Sequence, residues 1–150
     1  MKKVLVSNKK ARFDYDIMEE FEAGIVLSGS EVKALRAGSG SMKGSYVIFP
    51  GNRPFIRGLS ISQYKFNTDR DYMADKERAL LLNIKEIKKL LRYENDTGIA
   101  VVPLNLYLKK GLVKITIAVA KGRKKHDKKQ VLKERSEKKR VDKFIKNFNQ

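Results

Sequence analysis

The sequence predicts a mainly β fold: an antiparallel barrel of about six short strands, with two flanking α-helices and a basic C-terminal tail. Three observations carry that expectation. Apolar and polar residues alternate with period two over several short runs, which puts successive side chains on opposite faces of a strand. Two helix-spaced apolar stripes interrupt these runs instead of following every strand, which argues against a parallel α/β sheet. Charge gathers at one end: residues 121–150 hold thirteen Lys/Arg and four Asp/Glu, a net +9 of the chain's +17. So charged a segment, with few apolar residues, does not offset its own ordering entropy and is expected to be disordered until an anion orders it.

The elements follow in order. Phe13, Tyr15 and Ile17 alternate with Asp14 and Asp16, so the first strand is expected over residues 13–27, with Gly24 marking a bend or bulge. Ser28 stands three residues before Glu31 as a capping box, with Ser30 as a competing cap, and a short helix follows. Its apolar stripe is Val32, Ala34 and Leu35, and Gly38-Ser39-Gly40 ends it. Strands at 46–49 and 54–61 flank a Pro50-Gly51-Asn52-Arg53 turn. Residues 62–78 read as irregular, with Tyr64, Phe66 and Tyr72 among charges. A second helix over 84–94 has Ile84, Ile87, Leu90 and Leu91 on one face and Asn83 as its cap. A hairpin of 99–108 and 112–120 turns at Lys109-Lys110-Gly111, with Val113, Ile115 and Ile117 alternating against Lys114 and Thr116. Apolar alternation stops at Gly122, so the expected organisation is a body of residues 1–121 and a tail of residues 122–150.

Composition narrows the chemistry. With no cysteine in 150 residues and one histidine, His126, disulfides, thiol nucleophiles and the usual zinc sites are excluded. No catalytic residues, metal or cofactor are expected. Glu19, Glu20 and Glu22 lack a loop to complete an oxygen cage for a hard cation. Gly38 through Gly44 lacks the Gly-Lys-Ser/Thr order of a phosphate loop. No signal peptide and no apolar run near the ~18 residues of a membrane helix is read, and the tail's sparse apolar residues do not suit a membrane face. A cytoplasmic protein with a polyanionic partner is expected. With a pI near 10.1, that partner is nucleic acid, whose phosphates release counterions on neutralisation. On the residues alone, the aromatics of 64–72 either stack bases or cover an edge of the barrel, and His126 reads as a solvated tail residue.

The stretch Phe21-Glu22-Ala23-Gly24-Ile25-Val26-Leu27-Ser28-Gly29-Ser30-Glu31-Val32-Lys33-Ala34-Leu35-Arg36 resembles a bacterial family, the SsrA-binding or small protein B family. So do Asn8-Lys9-Lys10-Ala11-Arg12, Ser45-Tyr46-Val47, Leu80-Leu81-Leu82-Asn83, Val102 through Gly111 and Ala118 through Lys129. The resemblance spans about residues 8–135 in order. It implies an oligonucleotide-binding-fold barrel and a monomeric adaptor, not an enzyme, in a 1:1 complex with the RNA. Such proteins bind the tRNA-like domain of transfer-messenger RNA and deliver it to stalled ribosomes for trans-translation.

The resemblance also implies the sites. Asn8, Glu22, Leu81 and Asn83 match positions at or near the RNA surface. Lys9, Lys10, Arg12, Lys33 and Arg36 are assigned to phosphates by charge. Glu22 would accept hydrogen bonds from base amino groups or ribose hydroxyls, the alternative being an ion pair with Arg12 or Lys9. Leu81 is either an RNA contact or core. In the tail, Gly122, Arg123, Lys124, Lys125, His126, Asp127, Lys128 and Lys129 match the segment that enters the ribosomal decoding centre, where His126 would stack on an rRNA base. Val141, Phe144, Ile145 and Phe148 are spaced as a helix stripe, so the tail is expected to become helical on the ribosome. Phe13 replaces a usual histidine, Gln63 a usual proline and Lys129 a usual arginine. A general ribosomal or basic RNA-binding protein is the competing class, and an RNA-processing enzyme lacks the carboxylate cluster it would need.

Overall fold

The computed structural model describes residues 2–123, so Lys124 to Gln150, and with them the expected tail helix, lie outside the described residues. The chain runs as β1 (Lys2–Ser7), α1 (Lys9–Asp14), β2 (Tyr15–Ile25), α2 (Gly29–Arg36), β3 (Tyr46–Ile48), β4 (Phe55–Arg57), β5 (Arg78–Leu81), α3 (Ile84–Leu91), β6 (Ile99–Lys109) and β7 (Leu112–Gly122). A single 3-10 turn, Pro50–Asn52, joins β3 to β4. The strands form one antiparallel sheet in the order β1-β6-β7-β2-β5-β4-β3.

The β6–β7 hairpin is the spine of that sheet. Its turn places Lys110 and Gly111 at φ 52° and 79°, the twist that matches two right-handed strands. Alternation then sends Leu106, Ile115, Ile117, Phe21, Ala23, Leu80 and Ile56 inward. The short helices close this core from outside the sheet, with Ala34 and Leu35 from α2 and Leu90 from α3. Full burial of a Leu or Ile contributes about 1.5–3 kcal/mol, so this cluster is the main source of stability. A smaller cluster lies on the opposite face, where Ala11 of α1 covers Val102, Leu104, Ala118 and Ala120.

Four expectations are corrected. Residues 13 and 14 belong to α1, not to a strand, because Asn8 caps a helix there and Ala11 packs against the sheet. Tertiary burial thus outweighs a local alternation. There are seven strands and three helices among the described residues, not six and two. β1 lacked an alternating pattern, and β5 opens on the charged Arg78. β4 ends early because Gly58 takes φ 89° straight after it, leaving only an isolated Ser41–Ser60 bridge. The irregularity in β2 falls at Met18, between Ile17 and Glu19, not at Gly24.

The sheet is also open. β1 and β3 are its two edges, and β3 lies beside β6 with Cα atoms within 8 Å but no paired residues. A groove of about 810 Å³ runs along that seam, bordered by α1, β3 and β6. Among the described residues no helix is long and apolar enough to cross a membrane.

Candidate nucleic-acid interface

Because β2 turns Phe21, Ala23 and Ile25 into the core, Glu20 and Glu22 face outward. Register then decides what Glu22 meets. It lies opposite Thr116 on β7, which lies opposite Asn105 on β6, and Tyr107 follows two residues along the same face. The Tyr107 hydroxyl donates to Glu22 Oε2, and Lys109 Nζ lies 3.3 Å from both carboxylate oxygens. Tyr107 itself is only 1% exposed, with Lys2 Nζ 4.9 Å from its ring centre. Its hydrogen bond, aided by Lys109 and Lys2, holds the Glu22 carboxyl below the usual carboxylate range despite some desolvation. Burial, together with the bond to that carboxylate, pushes the Tyr107 phenol up to about 12.

Leu81 joins the same face. Gly24 pairs with Lys114 on one side and Leu81 on the other, so it is where β2 passes from β7 to β5. A Cβ at Gly24 would stand 3.1 Å from that of Leu81, so glycine permits the close approach. Leu81 lies over that gap at 61% exposure, outside the core, while its neighbour Leu80 is buried. Two residues on, Asn83 is exposed and caps α3: its side chain accepts from the Glu86 backbone N–H at 2.9 Å, and Glu86 Oε1 accepts from the Asn83 N–H. The capping box at Ser28 and Glu31 starts α2 in the same way, which settles the choice against Ser30.

The remaining expected positions divide. Asn8 is buried, its amide donating to the Pro103 carbonyl at 2.8 Å while its oxygen accepts from the Ala11 N–H. Its side chain therefore serves the fold. Lys9 and Lys10 are exposed on α1, and Lys33 and Arg36 on α2. Arg12 lies 3.9 Å from Glu20, and Glu22 is partnered by Tyr107 and Lys109 instead of Arg12 or Lys9. Gly122 is the last residue of β7, opposite Tyr15, and the Arg123 N–H donates to the Asp14 carbonyl with its guanidinium 3.1 Å from Asp16. Lys124, Lys125, His126, Asp127, Lys128 and Lys129 lie outside the described residues. Of the loop aromatics, Phe66 is 72% exposed, while Tyr64 packs partly buried against the core.

The face therefore offers hydrogen-bond acceptors at one carboxylate, an apolar step at Leu81 and lysines around them. That suits a partner with both donors and phosphates. Sequence reasoning missed Tyr107, Lys109 and Lys2. Polar Asn105, Tyr107 and Lys109 alternating with Leu106 and Leu108 were a visible signal, but only the β6–β7–β2 register aims them at Glu22. Among the described residues no group of His, Cys, Asp or Glu is arranged to hold a metal.

Comparison with known proteins gives one consistent result. The SsrA-binding protein of Clostridium kluyveri is 45% identical over 146 residues, covering 96% of this chain and 92% of that protein. That of Syntrophobacter fumaroxidans is 41% identical over 148 residues, covering 99% and 92%. Among solved structures, the fold matches a chain described as "tmRNA-SmpB: a journey to the center of the bacterial ribosome" with TM-score 0.68 and 34% identity, over 85% of this chain and 93% of that one. A family model described as "SmpB protein" matches residues 5–147, and the chain belongs to that family.

Proposed function

We propose that this chain is an RNA-binding adaptor of the bacterial cytoplasm. It binds the tRNA-like domain of transfer-messenger RNA and carries it to stalled ribosomes for trans-translation, catalysing nothing itself. The observation that carries this reading is likeness along nearly the whole chain to proteins named for binding SsrA. The outer face adds a physical reason. Glu22 accepts from base amino groups or ribose hydroxyls, Leu81 offers an apolar contact, and Asn83 borders them at the start of α3. Lys9, Lys10, Arg12, Lys33 and Arg36 neutralise phosphates and supply a salt-dependent share of affinity. Asn8 acts behind them by holding α1 to β6.

The finer architecture belongs to the same proposal. The curled sheet is a partly open barrel of the oligonucleotide-binding kind, and the body it forms extends through β7 to Arg123. The tail beyond it enters the decoding centre of the small subunit. The reading is tested by gel shift of the purified chain on transfer-messenger RNA with excess bulk tRNA at near-physiological salt. Binding that survives the competitor is expected. Truncation after Arg123, which keeps every strand, should spare binding and abolish tagging. Equal displacement by any RNA would leave only a basic protein with general affinity for RNA.

A further inference from the structure

An exposed glutamate on a strand is a poor recognition group by itself. Its carboxylate swings through several rotamers, and each one frozen on binding weakens affinity. Glu22 is placed otherwise. We propose that Tyr107 is the positioning residue of the interface: its hydroxyl fixes the Glu22 carboxylate so that the remaining oxygen lone pairs meet amino or ribose-hydroxyl donors of the RNA. This rests on the reading that Glu22 touches RNA.

Four observations carry it. Tyr107 is 1% exposed, so it acts on the surface through another group and not by contact. Its backbone is clamped in a central strand, opposite Val4 of β1 on one side and Lys114 of β7 on the other. Its ring lies under Lys2 and is packed away from solvent, so the phenol has a fixed direction. Phenylalanine would fill the same volume, so the hydroxyl is what distinguishes this residue from plain core, and it is aimed at the carboxylate.

The acceptor count agrees. An ionised carboxylate has about four lone-pair positions. Tyr107 takes one on Oε2, and Lys109 approaches both oxygens from its flexible stem at 3.3 Å. That leaves acceptors open on a side chain 38% exposed. Lys109 is a mobile point charge that offsets repulsion between Glu22 and phosphates, and it sets no direction. The buried phenol does.

The test uses the full chain and a transcript of the tRNA-like domain. Glu22→Ala, Tyr107→Phe and the double variant are compared by binding. Each single change should weaken binding by roughly tenfold, the range of one hydrogen bond to a charged group, and the double should be no weaker than Glu22→Ala alone. Tyr107→Phe should leave the salt slope of binding unaltered, because no phosphate contact is lost. A second measurement reads the contact itself: in chain labelled with 13C-tyrosine, the Tyr107 resonance should titrate lower in Glu22→Ala than in the unaltered chain. If that resonance does not move, the contact is absent in solution and the inference falls. Loss in Glu22→Ala but not in Tyr107→Phe, or losses that add, would overturn the positioning role and leave the interface standing. No loss in Glu22→Ala would remove the interface reading of Glu22 itself.

Discussion

Two glutamates carry the same charge and the same direction of pKa shift, and they do opposite jobs. Glu31, 2% exposed, accepts from its Ser28 cap N–H at 3.0 Å, from Arg78 Nε at 2.8 Å and from the Tyr72 hydroxyl at 3.3 Å. Arg78, also 2% exposed, gives its other N–H groups to the carbonyls of Leu59, Lys76 and Ala74. Burial alone would push Glu31 up, but the Ser28 N–H and Arg78 outweigh it and hold the carboxyl below its usual range. Every polar atom of that pair is satisfied inside the protein, and the pair ties residues 59–77 to α2. Glu22 is held down too, yet its carboxylate keeps open acceptors toward solvent. Completeness of hydrogen bonding, more than charge or pKa, separates a fold-holding pair from a recognising one.

The largest effect follows from the closed pair. Arg78→Met leaves the buried Glu31 carboxylate with only the half-exposed Lys76, 3.6 Å away, and strands the Leu59 and Lys76 carbonyls, so stability should fall by about 3–5 kcal/mol in urea unfolding. Removing Glu31 as well should not restore it, because the carbonyls of Leu59 and Lys76 still lack their donor. Glu22→Ala should change stability far less, because its carboxylate is exposed to solvent. Comparable losses from the two would break the comparison.

Two asparagines sharpen it at smaller scale, since both cap helices and both match the family's RNA-surface positions. Asn8→Ala removes a buried cap and the bond to Pro103, for about 2 kcal/mol. Asn83→Ala removes an exposed cap, for about 1 kcal/mol. RNA affinity should rank the other way, with Asn83→Ala weakening binding more than Asn8→Ala in protein shown by circular dichroism to be folded. The same order in both measurements would mean that exposure is a poor guide to this interface.

What was legible in the sequence follows the range of the physics. The capping box at Ser28 and the cap at Asn83 are contacts over three residues, and the β6–β7 hairpin is a contact over one turn, so local patterns revealed these, though not that Glu86 completes a box at Asn83. The pairing of β1 with β6 reaches across some hundred residues, and β1 carries no alternation of its own to announce it. Glu22 was found through likeness to a family, but its partners were misjudged: nearby Arg12 and Lys9 were considered, while Tyr107 and Lys109 lie about 85 residues away. Arg78 lay where an irregular segment was expected to end, and nothing local showed that it opens a strand and buries its guanidinium.

The smallest expected effect concerns acid. A carboxyl whose folded pKa lies below its unfolded value of about 4.3 contributes stability above that value, and loses it as pH falls through the folded pKa. Glu22 is such a group, facing Tyr107 and Lys109 from β6, Lys2 from β1 and Thr116 from β7. The Tyr107 phenol, pushed up to about 12, stays neutral throughout that range. Thermal melts of the chain from pH 6 to pH 2.5 should therefore decline more steeply below pH 4 than those of Glu22→Gln, while the two coincide in slope above pH 5. Glutamine can still accept from Tyr107, so the difference isolates the charge from the hydrogen bond. Parallel acid limbs would mean that Lys109 and Tyr107 do not hold the ionised form in solution, and Glu22 would then stand on the face as an ordinary solvated side chain.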